Sequence, residues 1–267
     1  MYKTIELDTL ESVMHLVTEQ EFSERTKRHR STFVYHGLSN VSFELNTSLQ
    51  RNCKNLYAEL ESSVLRNFTK YALADYPALD TSVWQQMILG QHHGLPTRLL
   101  DWTYSPLTAM HFATTENNLD KMEKHDCIVW KIDIEEIHSI LPQNYRSILK
   151  SENALIFTVD MLNKIAPNTE KYDSDMGAES MVIIEPPSID PRIINQYSYF
   201  SVVPTGMSVE KFLAENTNNT VKYVIKKELR WRIRDMLDQL NINERTVYPG
   251  LDGLSQWLAR HYYVRSE

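Results

Sequence analysis

The sequence is poor in the residues on which several kinds of chemistry depend. Its two cysteines, Cys53 and Cys127, stand far apart without companions at ligand spacing. That excludes a disulfide framework and a cysteine-built metal centre, and a reduced, cytoplasmic protein is expected. Seven glycines in 267 residues leave little material for a glycine-rich phosphate loop. No Gly-x-Ser-x-Gly elbow is present, so serine-hydrolase chemistry has no nucleophile. His92 and His93 are neighbours, and on a helix their side chains point about 100° apart, so they do not easily grip one ion. No metal is expected. Apolar runs fall far short of a membrane span, and Met1–Glu6 has neither a signal-peptide nor a lipidation pattern. The net charge of −7 disfavours unspecific nucleic-acid binding but leaves room for a local basic cleft.

What is present suffices for a sizeable core: 42% of the residues are hydrophobic and 24% charged. Apolar spacing predicts helices over 7–21, 55–75, 81–93, 105–115, 208–215 and 225–240, with Asp8 or Thr9 capping the first, Ser105 the fourth, and Gly94 ending the third. Strands are predicted over 31–36, 127–133, 181–185 and 199–203, the last two stopped by prolines. The charged stretch 24–30 reads as a solvated loop or a basic lip, and the polar stretch 166–180 as a mobile loop. The Trp257, His261, Tyr262, Tyr263 cluster reads as core packing or a partner surface. The irregular interleaving of strands and helices argues for one α+β domain.

Three separated segments carry identity, and a fourth near the end joins them. Tyr35-His36-Gly37-Leu38-Ser39-Asn40 precedes Leu45 and Ser48-Leu49. Gln91-His92-His93-Gly94-Leu95-Pro96-Thr97-Arg98-Leu99-Leu100-Asp101-Trp102-Thr103 precedes Ser105-Pro106-Leu107, Ala109 and Phe112-Ala113. Pro191-Arg192-Ile193-Ile194-Asn195-Gln196 precedes Phe200, and Tyr248-Pro249-Gly250-Leu251-Asp252-Gly253-Leu254 closes the set. Together they resemble the FRG-domain family over about residues 30–258, preceded by the helix at 7–21. Where that family usually has Phe-Arg-Gly, this chain has Tyr35-His36-Gly37. That triplet resembles the NAD-binding strand of ADP-ribosyltransferases of the His-Tyr-Glu class, and the strand after Gln196 resembles their late Glu strand with Gln in place of Glu.

The resemblance implies a transferase-like split sheet surrounded by helices, with a site built from three strands. His36 and Gln196 would be the catalytic residues, and Tyr35, His36, Gly37, Arg98, Trp102, Thr103 and Ser105 would hold NAD, the substrate. His36 would donate to a ribose hydroxyl and Trp102 or Tyr104 would stack on nicotinamide. Arg98 and Asp101 have two readings, a buried ion network shared with Arg192 or His93, or an Arg98 that meets a pyrophosphate. Glu185 is the alternative carboxylate. The function implied is mono-ADP-ribosyl transfer to RNA, single-stranded nucleic acid or protein, in a microbial toxin or phage-defence effector restrained by an inhibitory antitoxin protein. The rival reading is a catalytically inert module that binds a nucleotide or a partner.

Overall fold

Seven consecutive residues, Cys127–Asp133, are all buried and form the strand around which the fold is organised. The computed structural model describes residues 1–77, 79–188 and 191–265. Eight strands make one mixed sheet: β1 (Lys3–Leu7), β2 (Phe33–Leu38), β3 (Leu99–Thr103), β4 (Cys127–Asp133), β5 (Phe157–Thr158), β6 (Val182–Glu185), β7 (Ser198–Val202) and β8 (Val221–Ile225). Their order is β1-β8-β4-β2-β3-β7-β6-β5. The outermost pairings, β1 with β8 and β5 with β6, are parallel, and the rest are antiparallel. The α+β class is as the interleaving of elements indicates.

The sheet has a narrow point. β2 pairs with β4 at six positions and β3 with β7 at five, but β2 and β3 meet at a single pair, Tyr35 opposite Thr103. Beneath one face a single core joins both halves: Val34, Ile128 and Trp130 pack in one cluster with Leu100, Trp102 and Ile183. On the other face the halves carry separate cores. Phe33, Tyr35 and Val129 pack with Ala109 and Met110 of the helix Pro106–Ala113. Leu99, Phe200 and Val202 pack with Trp84, Met87 and Ile88 of the helix Val83–His92. The space between these two cores is where a ligand can lie.

Local signals explain most elements. Ser105 caps the helix Pro106–Ala113, and Pro106 fills its first turn, where no amide donor is needed. The helix Val83–His92 is followed by Gly94 at φ +83°, a conformation that glycine adopts without a side-chain clash. Gly37 serves packing: a Cβ there would lie 2.0 Å from the Ala109 carbonyl oxygen, so the helix Pro106–Ala113 sits directly on β2.

Three expectations are corrected. The helix expected over 7–21 is the shorter Leu10–Thr18, capped by Thr9, and an unpredicted strand, β1, ends at Leu7 just before it. The predicted loop at 166–180 contains the helix Thr169–Met176, fixed by Tyr172, whose hydroxyl donates to the Val202 carbonyl and accepts from the Val182 amide. The helical run predicted from 225 begins as β8, and the helix proper is Arg230–Gln239. Of the two readings of the C-terminal aromatic cluster, core packing does not hold for Tyr262, which is 76% exposed.

Two buried histidines are held neutral by their surroundings. His138 donates from Nδ1 to the Leu155 carbonyl and accepts at Nε2 from the Ile183 amide, which leaves no room for a second proton. His111 accepts at Nδ1 from Arg234. Burial lowers His138 to about 4, and burial together with the Arg234 charge lowers His111 to about 3. Both folded values lie below the ordinary one, so the unfolded chain binds protons that the folded chain refuses. The stability these rings allow is complete above about pH 6.5 and is lost as pH falls toward the folded values. Urea midpoints are therefore expected to decline between about pH 6.5 and 4, and substitution of either histidine by glutamine should flatten the decline. A profile with no slope in that range would contradict the neutral assignments.

Candidate functional site

A cleft of about 870 Å³ opens at the narrow point of the sheet. His36 and Gly37 of β2 and Leu99–Thr103 of β3 border it, joined by Arg51, by Gln91 and His92, by Phe112 and Glu116, and by Arg192, Gln196 and Tyr248. The two strands that pair least are thus the two that face the cavity, and the loops and helix ends around them supply its rim.

His36 bridges the gap where ladder hydrogen bonds are missing. Its Nδ1 lies 2.6 Å from the Asp101 carbonyl oxygen. A carbonyl only accepts, so Nδ1 carries the proton and donates. Burial lowers the pKa of the ring, against the opposing pull of the Asp101 charge and carbonyl. The neutral ring then presents Nε2 as an acceptor. Its expected role is reversed: it would receive a hydrogen bond from a hydroxyl instead of giving one. The Trp102 ring meets it edge-on, with centroids 5.6 Å apart.

Gln196 enters the cleft from the turn before β7. The Thr103 hydroxyl donates to its carbonyl oxygen at 2.6 Å, and its own Nε2 donates to the Val247 carbonyl at 3.1 Å. With the amide so oriented, Oε1 is the atom left to accept. His36 and Gln196 therefore border one cavity from opposite sides of β3.

Other predicted site residues are placed differently. Arg98 is buried outside the cleft. Its Nε and Nη2 form a forked pair with Glu61, and its Nη1 lies 2.5 Å from Asp173. It does not pair with Asp101, Arg192 or His93, and no face of it is left for a pyrophosphate. Ser105 does not border the cleft either, and its hydroxyl accepts from the Thr108 amide as the helix cap. Tyr35 borders the cleft but its ring is buried in the core. Trp102 is 2% exposed and donates to Ser201, so it supports His36 and offers no stacking face. Thr103 spends its hydroxyl on Gln196 and on the Ser105 amide. Glu185 lies at the end of β6 and is not among the cleft residues.

The aromatic surfaces of the cleft come from Phe43, Phe112 and Tyr248. Phe43 is 51% exposed, and the Arg192 guanidinium lies 5.7 Å from the Tyr248 ring centre. Cations at the rim are Arg51 and Arg192, and carboxylates are Glu44, Asp101 and Glu116. Among the described residues no group of three His, Cys, Asp or Glu is placed to hold a metal ion, and no helix is long and apolar enough to cross a membrane.

Residues 31–122 match the family model described as the FRG domain. Over those residues the chain is similar to FRG domains. The matched segment runs from just before β2 to beyond the helix Pro106–Ala113 and includes His36, Gly37 and Asp101. Gln196 and Tyr248 reach the same cleft from outside the FRG match. No curated protein and no solved structure matches the chain.

Asp101 and Arg98, three residues apart, are expected to behave oppositely on substitution. Arg98→Ala strands Glu61 and Asp173 in partly buried positions and should lower stability by about 3–5 kcal/mol. Asp101→Asn keeps an oxygen for its one side-chain partner and should stay within about 0.5 kcal/mol of the parent. Chemical denaturation of both variants checks this, and equal losses would mean that Asp101 belongs to a stabilising network after all.

Proposed function

We propose that the protein is a mono-ADP-ribosyltransferase that takes NAD in this cleft and passes ADP-ribose to a macromolecule. One observation carries the reading: three segments distant in sequence and resembling the three site strands of such enzymes lie on adjacent strands β2, β3 and the start of β7, and His36 and Gln196 face one cavity. Its volume lies within the range of small-molecule and cofactor sites.

The chemistry asks little covalent help of the protein. The bond between ribose and nicotinamide breaks with its electron pair moving to the nicotinamide ring, which leaves uncharged. The sugar is left cation-like, so positioning and electrostatics govern the rate. His36 Nε2 and Gln196 Oε1 would accept from ribose hydroxyls, and the rings of Phe112 and Tyr248 would flank the base. Arg51 and Arg192 would face the pyrophosphate, in the role that Arg98 cannot fill. The acceptor is RNA, single-stranded nucleic acid or protein. A toxin or phage-defence effector of this kind acts in the cytoplasm and is restrained by an inhibitory protein partner.

A specific feature favours a second reading, a module that binds NAD or a related nucleotide without turning it over. Gln196 stands where the resembled strand has a carboxylate, and its Nε2 is already committed to Val247. Calorimetric titration with NAD, followed by measurement of nicotinamide release with and without cell lysate, separates the two. Under the transferase reading the parent binds NAD and releases nicotinamide. His36→Ala and Gln196→Ala should each slow release by at least about tenfold, the equivalent of about 1.4 kcal/mol, while remaining folded. Binding without release supports the inert module, and absence of binding at millimolar NAD removes both.

A further inference from the structure

β3 is buried on both faces except at one position. Leu99, Leu100, Trp102 and Thr103 are covered, and Asp101 alone is exposed. Side chains alternate along a strand, so Leu100 and Trp102 point into the shared core and Asp101 points to the face where the two cores part. It is therefore exposed to the cleft, midway between the strand of His36 and the strand that follows Gln196.

The carboxylate is positioned but not neutralised. Gln91 Nε2 donates to Asp101 Oδ2 at 2.9 Å. The orientation of that amide is fixed, because Thr97 donates to Gln91 Oε1 at 2.5 Å. Gln91 therefore presents a donor, which suits an ionised Asp101. Among the described residues Asp101 has no ion-pair partner. A carboxylate kept for stability is normally paired with a cation or caps a helix, and Asp101 does neither. Its main-chain oxygen meanwhile holds His36, so the backbone of the same residue sets the histidine in place.

We propose that Asp101 is a catalytic residue of this cleft and that its carboxylate supplies the negative charge that Gln196 lacks. The proposal rests on the transferase reading above. The carboxylate faces the sugar as the bond to nicotinamide breaks and the electron pair leaves on the nicotinamide ring. The acceptor oxygen or nitrogen then forms its bond to the same sugar carbon, and the proton it sheds passes to Asp101. With water as acceptor, NAD and water give ADP-ribose, nicotinamide and the proton, so charge and atoms balance without another reactant. The surroundings suit a base. Protein packed around the cleft wall raises the pKa of the carboxyl, partly offset by the Gln91 hydrogen bond and the Arg51 charge, even though solvent reaches it.

The test is Asp101→Asn, nearly equal in shape and able to accept from Gln91, with NAD as probe and water as acceptor. Nicotinamide release at saturating NAD should fall by about 100-fold or more, while the NAD dissociation constant stays within about threefold and the melting temperature is unchanged. Parent-like release overturns the proposal. So does a loss explained wholly by weaker NAD binding, which would make Asp101 a binding residue. A variant that melts well below the parent also overturns it, because the carboxylate would then be structural. A parent that neither binds NAD nor releases nicotinamide defeats the transferase reading itself, and that result is visible before any variant is compared.

Discussion

Tyr35 opposite Thr103 is the single register pair through which the two halves of the sheet are continuous, and the cleft exists because the pairing stops there. Strands of a sheet satisfy their backbone groups by pairing with neighbours, and groups left over must find other partners. Beyond Thr103 the Asp101 carbonyl finds the His36 side chain in place of a β2 amide. One imidazole thus closes the gap in the ladder and stands in the opening that the gap creates. The shared core under Val34, Trp102 and Trp130 keeps the halves together from below, so the upper face can part without separating the sheet.

The walls are set by interactions some distance from the cavity. Arg234 and Arg260, both nearly excluded from solvent, converge on Glu244, and Arg260 also forks to Asp238. Burial alone would raise the Glu244 pKa, but the hydrogen bonds of Arg260 and the charge of Arg234 hold it down at about 2. Arg234 also reaches His111 of the helix Pro106–Ala113, which packs on Gly37. The short helix Glu244–Val247 is thereby tied to the helix that backs β2, and its last carbonyl orients the Gln196 amide. Surface ion pairs contribute little in general, whereas breaking a buried pair is strongly destabilising. This network therefore weighs more in the placement of Gln196 and Tyr248 than the exposed pairs elsewhere.

The sequence made the strand of His36, the capped helix from Pro106 and the central strand Cys127–Asp133 readable, because each has a local signature: β-branched and aromatic runs, a cap with proline, and the apolar run Cys127-Ile128-Val129-Trp130. Two short strands on one side of the sheet were not. Lys3–Leu7 at the sheet edge and Val221–Ile225 beside it have five residues each and gain their character from pairing with their neighbours, which no local pattern displays. The roles of Arg98 and Asp101 were hidden for a related reason. Their neighbours are equally apolar, and what separates them is which face of β3 opens to the cavity. The acids that bind Arg98, Glu61 and Asp173, come from distant helices. The cleft aromatics Phe112 and Tyr248 lay within the motif segments, but only the packed fold distinguishes an exposed ring from the buried one of Trp102.

The cleft combines cations at its rim with acceptors at its centre. Neutral His36 offers Nε2, Gln196 offers Oε1, and Asp101 offers a carboxylate, and Arg51 and Arg192 line the same cleft. A sugar that loses a leaving group with its electron pair becomes electron-poor, and its hydroxyls become better donors. Under the proposed function, a lining of acceptors would bind that state more strongly than the ground state, which is the condition for acceleration. Phosphates need the opposite, donors and positive charge, which Arg51 and Arg192 would supply under the same reading. The division follows from the fold. Arginine side chains reach in from the helices around the opening, whereas the centre is built from strand ends, where the missing ladder leaves a histidine, an amide and a carboxylate facing one another.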